Sequence, residues 1–204
     1  MWAERLRDGR EIVVRPIQPD DRTELAAGMR RLSPESRYRR FFTPTSELSE
    51  SQLTYQTEVD HHDHEALVAV EPGTEHGIGV ARFIRSPEDR ERAEVAVAVA
   101  DSWQGQGVAT ALLDRLAERA RAEGVRRFSA EILAENRPML ELIEAIGEAH
   151  VVDRDHGSLA VEVDLPPEGI GAALREALRA AARDLLRVPH LLRGGVAGAR
   201  EQQQ

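Results

Sequence analysis

The chain contains no cysteine and no lysine among its 204 residues. The first absence removes disulfides, thiolate nucleophiles and Cys-built zinc or iron–sulfur sites, so the redox state of the surroundings has no hold on the fold. The second removes internal lysine nucleophiles and Schiff bases, together with the lysine that a Walker-type phosphate loop needs. Aromatic residues make up only 4%, and all of them fall at or before Phe128. The remaining chain therefore lacks the stacking platforms of single-strand nucleic-acid binders. No apolar run approaches the ~18–20 residues of a membrane span. Met1-Trp2-Ala3-Glu4-Arg5 carries an acid where a signal peptide would build its apolar segment. The expectation is a cytoplasmic protein with no membrane and no nucleic-acid partner.

With 41% hydrophobic and 31% charged residues, the composition is that of a globular chain, and its length suits about one domain plus an appendage. Every one of the 27 basic residues is Arg, and the formal net charge is −9. The charge is uneven: residues 1–169 hold 21 Arg against 33 acids, while 170–204 hold 6 Arg against 3 acids. A boundary is expected at Pro166-Pro167, giving a body at 1–167 and an Ala/Leu/Arg-rich helix with a Gly- and Gln-containing tail at 168–204. In that helix Arg175, Arg179, Arg183 and Arg187 recur every four residues and share one stripe. The stripe reads either as a solvated face opposite an Ala/Leu face packed on the body, or as a dock for an acidic partner.

Within the body, Glu11 to Arg15 reads as a strand stopped by Pro16 and Pro19. Helices follow from Asp20-Asp21 to about Leu32, after Ser33-Pro34-Glu35, and over Ser49 to Gln56. Extended runs come next: Ala66 to Val70 and Gly77 to Ile84, paired as a hairpin, then Ala93 to Ala100, where valine alternates with alanine. From Val108 the apolar residues Ala109, Leu112, Leu113, Leu116, Ala117 and Ala120 keep the period of one buried helix face, ended by Gly124. A strand at Arg127 to Ile132, a helix after Asn136 and Pro138, and two closing strands around Asp155-His156-Gly157 complete the body.

The segment Gln104-Gly105-Gln106-Gly107-Val108-Ala109-Thr110 joins the valine-rich strand to the amphipathic helix. Two glycines allow backbone amides to converge just where the helix offers unpaired N–H groups and the positive end of its dipole, an arrangement suited to a diphosphate. The third glycine of a dinucleotide fingerprint is missing. The alternative is a Gly-rich corner with no ligand. His61-His62-Asp63-His64 lacks metal-ligand spacing and reads as a polar turn, so no metal site is expected.

Gln104-x-x-Gly107-x-Ala109 matches the Gln/Arg-x-x-Gly-x-Gly/Ala signature of the GNAT superfamily of N-acetyltransferases. Val14-Arg15-Pro16-Ile17, Leu32 to Tyr38, His64 to Ala69 and Ala93 to Ala96 resemble the corresponding segments of bacterial protein-lysine acetyltransferases. The resemblance runs from about Val14 to Leu165. It implies a mixed α/β fold: a mostly antiparallel sheet of about seven strands, splayed in the middle and flanked by helices, with the C-terminal amphipathic helix added. It also implies acetyl-CoA as acyl donor, its diphosphate on amides of Gly105, Gln106, Gly107, Val108, Ala109 and Thr110, and its thioester arm beside Val97, Ala98 and Val99. Asn136 takes the position of a polar residue aimed at the cofactor, or caps the helix after it.

Transfer to an amine requires a base, and Glu94, ten residues before Gln104, is the candidate. Lying amid Ala and Val it is expected to be partly desolvated, with pairing to Arg92 or Arg82 as the alternative. Arg37 and Tyr38 are candidates for the acceptor wall, while Phe41 and Phe42 are expected in the core. The leading function is acetyl transfer to a primary amine, foremost a protein lysine, in a protein that could form a homodimer. The alternatives are a small-molecule amine acceptor, a non-catalytic acyl-CoA-binding module, and a purely structural protein.

Overall fold

Serine and proline set the starts of the early helices. In the computed structural model, which describes residues 1–42 and 47–166, strands β1 (Trp2–Arg5) and β2 (Glu11–Pro16) lead through a 3-10 turn at Pro19–Asp21 into α1 (Arg22–Arg31). Helix α2 (Pro34–Phe41) begins at Ser33, whose hydroxyl accepts from the Ser36 amide, and has proline in its first turn, where no N–H is missed. Helix α3 (Glu50–Thr57) opens on a capping box between Ser49 and Gln52.

The chain then alternates: β3 (His64–Val70), β4 (Gly77–Arg85), β5 (Arg92–Val99), α4 (Val108–Ala122), β6 (Arg127–Leu133), α5 (Arg137–Glu144), β7 (Glu148–Asp155) and β8 (Ser158–Asp164). All eight strands form one sheet in the order β1-β2-β3-β4-β5-β6-β8-β7. Strand β1 exceeds the expected count. It is short and charged, and its Asp8-Gly9 turn was the signal for it. The helix expected within 168–204 lies outside the described residues.

Helix α4 buries Val108, Leu112, Leu113, Leu116, Ala117 and Ala120 in a core shared with Leu67, Phe83, Val95 and Phe128. Each fully buried leucine or phenylalanine contributes about 1.5–3 kcal/mol, so this one face anchors the helix start in space. A smaller cluster of Ile17, Ala66, Val68 and Val70 packs with Leu25 of α1 and Val80.

The sheet contains a single parallel pair, β5 with β6, and its ladder is short: Arg92↔Arg127, Ala93↔Phe128 and Glu94↔Ser129. Beyond Glu94, β5 stays paired only to β4, out to Val99↔Gly79, and β6 only to β8. The strands therefore part at Glu94 and open a wedge. Along β4 and β5 the register Val80↔Ala98, Arg82↔Ala96 and Ile84↔Glu94 puts these six residues on one face by the alternation of a pleated strand. Val95 belongs to the other face, in the core with α4.

Candidate active site

The wedge is the floor of a groove of about 710 Å3. Its walls come from β5 (Glu94 to Val99), the turn into α4 (Gln104, Gly105, Gly107 to Thr110), α2, and the end of β6 with α5. At the mouth, Gly107 serves as N-cap of α4 with φ +97, a conformation that disfavours any Cβ, and it brings no capping side chain. The first α4 amide bonded within the chain is that of Ala111, which donates to the Gly107 carbonyl at 3.0 Å. Val108, Ala109 and Thr110 thus offer the N–H groups that a helix start cannot satisfy internally, aimed where the dipole is positive. Gly105, at φ +72, has open space where a Cβ would stand. These features fit an anionic diphosphate, held by Gly105 and Gly107 through Thr110.

Gln104 does not point its side chain at that space. Its Nε2 donates to the Ser36 hydroxyl at 3.0 Å and to the Val99 carbonyl at 3.1 Å, pinning the turn to both α2 and the last residue of β5. Gln106 does not line the groove, because its Nε2 is taken up by the Ser102 carbonyl at 2.8 Å. Val97, Ala98 and Val99 line the groove as expected. Asn136 is the N-cap of α5 by position but makes no side-chain capping bond, and it lines the groove, so its amide is available there.

Glu94 also lines the groove, and its side chain is exposed rather than desolvated. It is not tied up by the cations suggested for it: Arg92 bonds Glu162 at 3.3 Å, and Arg82 bonds the Gln56 carbonyl. The charge of Glu94 attracts the guanidinium of Arg40 of α2. On the α2 side, the groove lining differs from the residues expected there. Helical spacing turns Ser36, Arg39 and Arg40 to the groove and leaves Arg37 and Tyr38 out of its lining, with Tyr38 exposed. Phe41 and Phe42 are half-buried and line the groove instead of joining the core, at the end of α2, where Phe42 takes a left-handed φ of 55.

Sequence reasoning missed two contributors. Arg7, in the turn between β1 and β2, lines the groove beside Gly107, whose imagined Cβ would lie 3.8 Å from the Arg7 Cγ. That turn is seated by Arg10, stacked 4.0 Å over the Trp103 ring. The other is Asp101, which holds Ser33 and Ser36 of the α2 start through its carboxylate. Among the described residues no group of His, Asp and Glu could hold a metal ion, and no helix is long and apolar enough to cross a membrane.

A family described as "Acetyltransferase (GNAT) domain" matches residues 11–148. The chain is 36% identical over 165 residues to the acetyltransferase Pat of Mycolicibacterium smegmatis, covering 79% of this chain and 48% of Pat, so it spans about half the length of that relative. Among solved structures, the GNAT domain of S. lividans PAT superposes with a TM-score of 0.74 at 36% identity, over 80% of this chain and 96% of that one. An acetyltransferase structure from Salmonella typhimurium, described with its cofactor acetyl-CoA, shares the fold at a TM-score of 0.61 and 19% identity, over 78% of this chain and 96% of that one. With its family match spanning most of the body and the splayed β5/β6 wedge beneath the α4 start, the chain belongs to the GNAT acetyltransferase family.

Proposed function

We propose that the protein transfers an acetyl group from acetyl-CoA to a primary amine, with the lysine side chain of a protein as leading acceptor. One observation carries the reading: a single groove joins the amide-rich start of α4 to an exposed carboxylate, Glu94, at the point where β5 and β6 part. Acetyl-CoA, when bound, supplies the acetyl group as an activated thioester. The backbone of Gly105 and Gly107 through Thr110 holds the diphosphate. The stretch Val97 to Val99, free of β6 and built of small and branched residues, lets the thioester arm lie along the strand.

The amine must be neutral to attack. Glu94, directly or through one water, takes the ammonium proton; the new N–C bond forms, the C–S bond breaks, and the second proton that the nitrogen sheds is delivered through solvent to the departing thiolate, which leaves as the thiol. An acidic body, with 33 acids against 21 Arg in residues 1–169, concentrates a cationic amine at the site. The resemblance of Val14 to Ile17, Leu32 to Tyr38, His64 to Ala69 and Ala93 to Ala96 to segments of bacterial protein-lysine acetyltransferases supports a protein acceptor. Thiol release from acetyl-CoA, followed colourimetrically with lysine-bearing peptides and proteins, tests this reading. Turnover that depends on both donor and amine is expected, and its absence with every amine offered overturns it.

A further inference from the structure

Among the described residues three charged side chains are buried: Glu65, Arg82 and Arg85. Two of them have opposite charges beside them. Glu65 accepts from Arg119 Nε at 2.9 Å, and Arg85 Nε stands 2.9 Å from Asp63. Arg82, only 4% exposed, differs: its Nη1 donates to the Gln56 carbonyl at 3.2 Å and meets His64 Nε2 at 3.1 Å, both neutral groups. The second charge near it is another cation, Arg40. Burial and then that repulsion press the Arg82 pKa down to about 9. Glu94 attracts Arg40 from the groove side but does not act on Arg82, so Arg82 is a buried cation with no carboxylate beside it, a costly arrangement unless an anion joins it.

Arg40, stacked 4.9 Å over the Phe41 ring, and Arg82 both line a cavity of about 90 Å3 beside α2, with apolar sides from Leu25, Met29, Val68 and Val80; Asp21 and Glu24 also border it, each with its carboxylate already held by an arginine, Arg15 and Arg31. Leu32, Arg40, Phe41 and Ala98 border this cavity and the groove alike, so the two spaces adjoin at Arg40. Glu94 lies on the groove side. We propose that the cavity is an oxyanion subsite of the acceptor, in which Arg40 and Arg82 receive a carboxylate that the acceptor carries at a distance from its reacting amine. The subsite rests on the acetyl-transfer reading for the placement of that amine at Glu94. Guanidinium forks match a carboxylate in two parallel hydrogen bonds, and the apolar walls accommodate the aliphatic stem between the two charged ends. The carboxylate belongs either to a free amino acid or to an acidic residue flanking a lysine in a peptide.

Calorimetry on the full chain, with and without CoA, compares Nα-acetyl-lysine with Nα-acetyl-lysine amide, and a glutamate-flanked lysine peptide with its glutamine-flanked twin. The carboxylate-bearing member of at least one pair is expected to bind about tenfold tighter, as one bidentate ion pair gives. The pair that shows the contrast names the source. Arg40→Gln and Arg82→Gln should each abolish it. Equal binding within both pairs in the unaltered protein, or a contrast that survives in both variants, overturns the subsite. Arg40 is only half-buried, so its variant keeps the test standing if Arg82→Gln does not fold. Binding is read without turnover, so failure of the subsite is distinct from failure of acetyl transfer, which would show as no thiol release with any amine.

Discussion

The Ser36 hydroxyl donates to Asp101 Oδ1 at 2.7 Å and accepts from Gln104 Nε2 at 3.0 Å, so the α2 wall of the groove is tied to the turn that starts α4. Asp101 also accepts from the Ser33 amide at 2.8 Å and hydroxyl at 2.9 Å. Slight burial resists its charge, yet the hydrogen bonds from Ser36 and Ser33 hold its carboxyl below the ordinary carboxylate range. The turn into α4 and the start of α2 thus share one hydrogen-bonded joint.

Cutting that joint should be felt on both sides. Asp101→Ala removes a charged acceptor serving three donors, and a loss of about 1–3 kcal/mol of stability is expected in denaturant unfolding. KM for the amine should rise severalfold. In a double-mutant cycle Asp101→Ala and Ser36→Ala should fall short of additivity by about 0.5–3 kcal/mol, because each removes the same bond. Additive losses would show that the two residues act separately.

The two glycines of the turn should respond differently to alanine. At Gly107, φ +97 places a Cβ in strained backbone, so Gly107→Ala should cost about 1–2 kcal/mol of stability and weaken cofactor binding together. At Gly105, φ +72 is nearer the left-handed well, and the Cβ meets no atom within 4 Å. Gly105→Ala should therefore disturb the fold less, while its methyl intrudes on the groove. Melting curves with and without acetyl-CoA separate the two effects: a diminished ligand-induced rise on a near-normal baseline is expected for Gly105→Ala.

The elements that carry this site were largely legible because each had its own local signal. The 3.6-residue period of Leu112, Leu113 and Leu116, the Ser33 and Ser49 caps, and the glycines before Val108 all act within a turn or two of chain. Relations between distant segments were not legible. Arg37 and Tyr38 share a helix with Arg40, and only the angle at which α2 meets β5 decides that Ser36, Arg39 and Arg40 face the groove. Glu94 was placed on the right strand, but its exposure depends on β6 turning away after Ser129, a long-range event with no trace in the Ala/Val run. Arg82 and Arg40 lie 42 positions apart, so their juxtaposition needs the β4 register and the α2 docking together.

Glu94→Gln should keep the groove, since the carboxylate is exposed and makes no hydrogen bond among the described residues that holds the fold. The variant loses the proton acceptor together with the charge that attracts Arg40. A fall in kcat of about 10²–10⁴ is expected, with the acetyl-CoA-induced rise in melting temperature unchanged. If turnover stays near the original rate, the proton leaves by another route and Glu94 is not the base.

His64 links the Arg82 side of the sheet to pH. Its ring lies 5.0 Å from the Tyr55 ring and 3.1 Å from Arg82 Nη1, with Asp60, Glu65 and His61 also in its field. Burial and then the Arg82 charge lower its pKa to about 4, from an ordinary 6.5, because a proton on the ring would sit in a half-buried place against a guanidinium. Between these two values the unfolded chain binds the proton and the folded one does not, so stability contributed by neutral His64 is full above pH 6.5 and drains away as pH falls toward 4. Carboxylates titrate over part of the same range, so the difference from a variant isolates the imidazole. Melting temperatures of the original protein should fall more steeply than those of His64→Gln from pH 6.5 to 4, and parallel curves for the two proteins would remove His64 as the group responsible.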